Sequence, residues 1–255
     1  MRMKLSAVVS AIATLALMPA LSVQTCAEEA MTRAQADQMI NELRQMRLLL
    51  ERLNVGSLAG QPQSTASPAP AERVRVGVGS APVLGRDDAP LTIVEFTDYQ
   101  CPFCQQFHLT AFQDMKRDYV DPGKVRYASR DLPLAMHPNA MSAAHAARCA
   151  GEQNRFWQMR NALIANANQL GSTRYSDLAD ELQLDRPSFQ QCLAEERFKT
   201  QIAKDMSEAK AAGITGTPSF VVGRSTGDLV EGVLLVGALP YATFDATLKG
   251  LPGTQ

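Results

Sequence analysis

Histidine, tryptophan and any surplus of charge are scarce in this chain. Three histidines and one tryptophan occur in 255 residues, and 25 basic against 26 acidic residues leave a formal net charge of −1. That balance removes an electrostatic case for nucleic acid or an anionic membrane surface as partner. After Leu21 no apolar run approaches the length of a membrane span. With so few histidines and only one Cys-x-x-Cys, a tetrahedral metal site is short of ligands: Cys101, Cys104 and His108 supply three and no fourth is in view. Neither a metal nor a cofactor is therefore expected.

What is present begins with Arg2 and Lys4, then an uncharged apolar stretch from Leu5 to Leu21 and a polar turn. That is the layout of a secretory signal peptide, placed over residues 1–27. Cleavage after Ser22 or after Ala27 fits the small-residue rule equally, and Val23-Gln24-Thr25 before Cys26 does not match a lipoprotein anchor. Export, here to the periplasm, implies an oxidising compartment, so the four remaining cysteines, Cys101, Cys104, Cys149 and Cys192, are read first as disulfide chemistry. An even count suits two pairs.

Residues 28–55 read as an amphipathic helix. Within 31–54 neither Gly nor Pro occurs, and Ala36, Met39, Leu43, Met46, Leu50 and Leu53 alternate at steps of three and four, an a/d seam with Glu42 at g and Arg47 at the following e. The seam predicts a homo-oligomer through residues 31–54. The competing expectation is a helix docked on its own domain, favoured by the additional apolar Ile40 and Leu49. Met39 and Met46 are seam residues rather than metal ligands. Residues 56–72, rich in Gly, Ser, Pro and Ala, form a flexible linker. The globular domain then covers 73–255.

Within it, Val74, Val76 and Val78 alternate as one strand face, and Leu91 to Thr97 is a β-branched and aromatic run suited to a central strand. A helix is expected over Gln105–Asp118, a strand from Val125, a helix from Pro138 to about Gln153, and further helices to about Ala212 with breaks near Gly171 and Pro187. Two short strands follow Pro218, and a last helix begins near Pro240. The plan is mixed α/β, with the helical block of about 137–212 inserted.

The stretch Glu95 to Phe107, EFTDYQCPFCQQF, places Cys101 where a strand runs into a helix, with Pro102 suited to the first helical position. The unpaired N–H groups of a first turn stabilise an anion there. A thiol so placed has its pKa lowered from about 8.5 to between roughly 3.5 and 7.5, and the thiolate is the reactive form. Cys104, one turn on, is close enough to resolve a disulfide and is expected to be more buried. Phe103 carries no side-chain donor, which leaves the helix terminus to stabilise the sulfur. As a staple the pair is poor, because so short a loop constrains little chain entropy.

VEFTDYQCPFC, LPLAMHPNA (Leu132–Ala140), ARCAGEQNRFWQM (Ala147–Met159) and GTPSF (Gly216–Phe220) together resemble the thioredoxin-fold disulfide oxidoreductases of the DsbA kind, over about residues 80–252. The resemblance implies a thioredoxin fold with an inserted helical subdomain, Cys101 as the exposed reacting sulfur and Cys104 as the resolving one. It assigns a cis bond to Pro218 facing the sulfurs, with Thr217 presenting its backbone to an extended substrate. Glu95 matches the family's buried acid beneath the disulfide, able to relay protons as Cys104 ionises; a strand glutamate facing solvent is the alternative. Family members with a second disulfide carry cysteines near the positions of Cys149 and Cys192, which implies a structural bond between them, closing a loop worth roughly 4 kcal/mol. The best-known oxidant of the family has histidine where this chain has Phe103, so an equally strong oxidising poise does not carry over. His137 and His145, like His108, are expected as surface or packing residues, and Trp157 with Phe156 as packing for the inserted helices.

The functional expectation is an exported thiol-disulfide oxidoreductase, oxidase or isomerase, acting on unfolded or misfolded proteins and exchanging electrons with a membrane-bound or soluble redox partner. Multimeric relatives make isomerase behaviour the expectation if residues 31–54 associate. Two rivals differ in class: a chaperone-like or partner-docking module with incidental cysteines, and a reductant dedicated to one target.

Overall fold

The computed structural model describes residues 33–58 and 73–251. The leader over 1–27 and the linker from 59 onward therefore lie outside the described residues. The chain divides into two units, residues 1–66 and 67–255.

In the first unit, helix α1 runs Arg33–Leu58, three residues beyond its expected end. Gly56 does not stop it, because glycine costs only about 1 kcal/mol relative to alanine inside a helix. Met39, Leu43 and Met46 on the seam, with Ile40 and Leu49 beside them, are each exposed by about half. The side chains of Leu50 and Leu53 lie outside the described ones.

The second unit is built on one sheet of six strands: β1 Arg73–Gly77, β2 Val83–Leu84, β3 Leu91–Thr97, β4 Val125–Asp131, β5 Ser219–Thr226 and β6 Leu229–Val236. Their order is β1-β6-β5-β3-β4-β2. The β3–β4 pair is parallel and every other neighbouring pair antiparallel. Every residue of β3 is buried, as a continuous apolar run covered on both faces requires. Side chains alternate along a strand, so Leu91 and Ile93 meet α2 (Pro102–Leu109), α3 (Ala111–Met115) and α9 (Tyr241–Lys249) through Phe107, Phe112, Met115, Phe244 and Leu248. Val94 and Phe96 meet the opposite layer, where Ala209 of α8 (Lys199–Ala211) packs. By the same parity Glu95 falls on the α2 side.

Between β4 and β5 stand α4 Ala140–Gly151, α5 Phe156–Ala165, α6 Ser172–Glu181, α7 Arg186–Ala194 and α8. The insertion thus covers 140–211, and residues 137–139, expected within it, are a turn. It has its own core, in which Ala147, Met159, Leu163, Leu178 and Phe189 are buried together.

Other boundaries also bear on the expected plan. The helix over Gln105–Asp118 is broken at Thr110 (φ −118°, ψ −92°), and past α3 it widens into a π-helical turn, Lys116–Val120. The Thr110 hydroxyl donates to Gln106 O at 2.7 Å, and back-bonding of this kind competes with the helical ladder. The break expected near Pro187 falls at residues 182–185, between α6 and α7, and Pro187 itself lies in the first turn of α7, which Asp185 caps by accepting from Ser188 N. A further break at residues 195–198 has Glu196 at φ 47°. The closing strands are eight residues each, because pairing over Ser219–Val236 carries past the apolar stretch that marked them.

Candidate active site

Cys101 is the N-cap of α2, in extended conformation (φ −72°, ψ 123°), with Pro102 following. Its own N–H donates to Asp98 O at 3.1 Å. Cys101 and Cys104 are free thiols in this structure, and both are buried. The expectation of an exposed Cys101 is corrected: the residue is 3% exposed, because the β5 entry loop closes over it, with Cys101 Sγ donating to Thr217 O at 3.4 Å. The Thr217–Pro218 peptide is cis. The Thr217 hydroxyl is buried without a protein partner, which leaves it able to turn toward a charged sulfur.

The acidities of the two thiols are pushed in opposite directions. A hydrogen bond from the Cys104 thiol, assisted by Thr217 and by the Cys104 and Phe103 backbone N–H groups, lowers the Cys101 pKa to about 5 against the opposing effect of burial. Burial, then the neighbouring Cys101 sulfur and the Glu95 charge, pushes the Cys104 thiol well up. Sequence spacing placed an anion-stabilising terminus at Cys101, and the structure adds that Cys104 is itself a donor to it.

Beneath them Glu95 is fully buried and paired with Arg160 of α5 at 2.5 Å. Its other oxygen, Oε1, has no protein partner, and its charge is felt at Cys104. Arg160, also fully buried, donates through Nη1 to His108 Nδ1 at 2.8 Å and lies over the rings of Phe112, Trp157 and Tyr127. Burial and then Arg160 lower the His108 pKa to about 3, so its imidazole is neutral and accepts that bond. His108 therefore belongs to the charge network under the site and is no surface residue. Arg160 was missed, although a signal existed: Phe156, Arg160, Leu163 and Ile164 recur at helical spacing, which puts the arginine on the buried face.

A second group overlooked in the sequence joins the Cys101 loop to the β4–α4 connection. Asp98, 1% exposed, bonds His137 and backbone amides, and Gln100 bonds Asn139. Cys149 of α4 and Cys192 of α7 are bonded, 5.8 Å apart at Cα, away from these sulfurs within the helical core. His145 is buried in α4. Trp157 is half-buried between that core and the one around Phe107. Among the described residues no group of three or more His, Cys, Asp or Glu could hold a metal ion.

A family model described as thioredoxin matches residues 78–229. A Na+/H+ antiporter of Salinispora tropica is 39% identical over 141 residues, 55% of this chain and 21% of the antiporter. A protein of Rickettsia conorii, named as a candidate protein-disulfide oxidoreductase, is 31% identical over 153 residues, 57% of this chain and 54% of that protein. This chain thus spans about half or less of the length of these relatives. No described helix is long and apolar enough to cross a membrane. Among solved structures, alpha-DsbA1 of Wolbachia pipientis superposes with a TM-score of 0.58 at 25% identity, over 67% of this chain and 90% of that one.

Proposed function

The chain belongs to the thioredoxin family, and from that premise we propose that it is a thiol-disulfide oxidoreductase whose reacting pair is Cys101 and Cys104. The observation that carries this reading is the split between the two thiols: one lowered to about 5 at a helix N-terminus, the other raised and buried beside it. In the oxidising direction a substrate thiolate attacks Cys101 Sγ of a Cys101–Cys104 disulfide. The S–S bond breaks, and its electron pair leaves on Cys104, which takes a proton. A second substrate thiolate then attacks the mixed disulfide, forming the substrate disulfide and releasing Cys101 as thiolate. Two substrate thiols are oxidised and the protein pair is reduced. In the isomerising direction Cys101 thiolate attacks a substrate disulfide directly. A stable Cys101 thiolate is a good leaving group and favours the reduced form, hence net oxidation of substrate.

Glu95, with Oε1 unpartnered beneath Cys104, is the group suited to carry the proton that Cys104 gains and loses. Thr217 and cis-Pro218 would pair with substrate backbone beside Cys101. The substrates are unfolded or misfolded proteins of an oxidising compartment, a setting that the Cys149–Cys192 bond supports. Restoring the starting state requires a redox partner. The half-exposed seam of α1 supports self-association.

The test is turnover with a reduced and with a disulfide-scrambled model protein, comparing the mature chain with Cys101→Ser. Exchange is expected to fall to background in the variant, and the wild-type rate with a disulfide substrate should climb as pH rises through about 5, where Cys101 ionises. A Cys101→Ser protein that retains its effect on the substrate would make the chain a binding module instead.

A further inference from the structure

Four residues, Asp98 to Cys101, carry the chain from β3 into α2 and set where the reacting sulfur stands. Their polar anchors lead to one place. Asp98 Oδ1 accepts from Gln100 N at 2.8 Å, a turn local to the loop. Asp98 Oδ2 accepts from Leu134 N at 2.8 Å and faces His137 Nδ1 at 2.7 Å. Gln100 Oε1 accepts from Asn139 N at 2.8 Å. Three of these four contacts cross to residues 134–139, the connection that leads from β4 into the helical insertion.

The carboxylate already acts as acceptor toward two amides, so Nδ1 carries the hydrogen and donates. The Asp98 side chain is fully buried, and a buried carboxylate is costly unless its lone pairs are met. His137 meets one of them from a side chain, where the others are met by backbone that no substitution removes.

Resting on the oxidoreductase reading above, we propose that His137 is a positioning residue: with Asp98 it forms a clasp by which the connection into the inserted subdomain holds the Cys101 loop against the first turn of α2. The physical link is short. Asp98 O accepts the Cys101 N–H, so the residue that His137 grips also ties down the cysteine's own amide. The donors that favour the thiolate are the Cys104 thiol, the Thr217 side chain and the Cys104 and Phe103 N–H groups. Their effect depends on the sulfur keeping its place at the helix terminus. A loosened Asp98 lets the sulfur drift from those donors without touching any group that contacts it.

The experiment is a thiolate titration of the reduced full chain by absorbance near 240 nm, with Cys101→Ser as the blank, beside His137→Ala, His137→Asn and His137→Gln. An Asn amide places its donor near the imidazole Nδ1 position and a Gln amide places it near Nε2. His137→Ala and His137→Gln should therefore raise the midpoint, lowering the thiolate fraction at pH 6 about twofold or more, while His137→Asn stays close to wild type. A midpoint unmoved in all variants, even with lowered melting temperatures, would overturn the proposal and leave the pair a purely structural contact. If His137→Ala does not fold, the Asn and Gln pair still decides, since both keep a polar side chain and differ in where the donor sits. The titration reads Cys101 whether or not the protein exchanges disulfides with a substrate. A wild-type chain inactive in turnover but with a shifted His137→Gln midpoint would therefore fail the functional reading and keep the clasp.

Discussion

Arg160 shows how much rests on one side chain. It is the cation for Glu95, the donor to His108 and the plate between three aromatic rings, all without solvent access. Removing one member of a buried pair leaves an uncompensated charge, at a cost of about 3–5 kcal/mol, whereas replacing both by apolar groups is often close to neutral. Arg160→Leu should therefore destabilise the reduced protein by about 3–5 kcal/mol in urea unfolding, and Glu95→Leu with Arg160→Leu should recover most of that loss. A double variant as unstable as the single one would mean that ring packing, and not the charge, is what Arg160 supplies. Buried acid and arginine are separated by 65 residues, so no local pattern could pair them.

Among the elements, α4 carries more connections than any other part of the insertion. It packs on α5 and α7 through Ala147, Cys149 and Ala150, and Arg148 on its other side bonds Asp131 of β4 and Asp205 of α8. The Cys149–Cys192 bond closes a sequence separation of 43 residues, which the chain-entropy relation values at about 4 kcal/mol. Replacing both cysteines by Ala should lower the unfolding free energy by about 2–4 kcal/mol while thiol exchange at Cys101, measured under native conditions, continues. If exchange also disappears in a variant that keeps its far-ultraviolet signature, the second disulfide takes part in the chemistry and is more than a brace. Small residues are why α4 tolerates so many neighbours: Ala143, Ala144, Ala146, Ala147 and Ala150 are all buried.

At the scale of the whole molecule, α1 belongs to the first unit, residues 1–66. An apolar seam at steps of three and four, half exposed on a 26-residue helix, is the pattern that association buries. The mature chain should sediment as an oligomer, and Leu43→Lys with Met46→Lys should return it to a monomer that retains oxidation of a reduced substrate. If isomerase turnover falls in that monomer while oxidation persists, several sites acting together account for isomerisation. A wild-type chain already monomeric at high concentration would end the association reading.

The amino-acid sequence by itself determined the central strand, the Cys-x-x-Cys at a strand-to-helix junction and the helical insertion, because strand composition, the Pro102 position and helical periodicity are local properties of the chain. It also carried the parity that puts Glu95 on the face of Leu91 and Ile93. Tertiary structure alone decided what supports the site from outside its own segment: Arg160 of α5 pairs with Glu95 and His137 of the β4–α4 connection bonds Asp98, and their distances from Glu95 and Asp98 along the chain leave no spacing to read. It alone decided, too, that Cys101 is covered, since burial is a property of the packed loops around a residue and not of the residue itself.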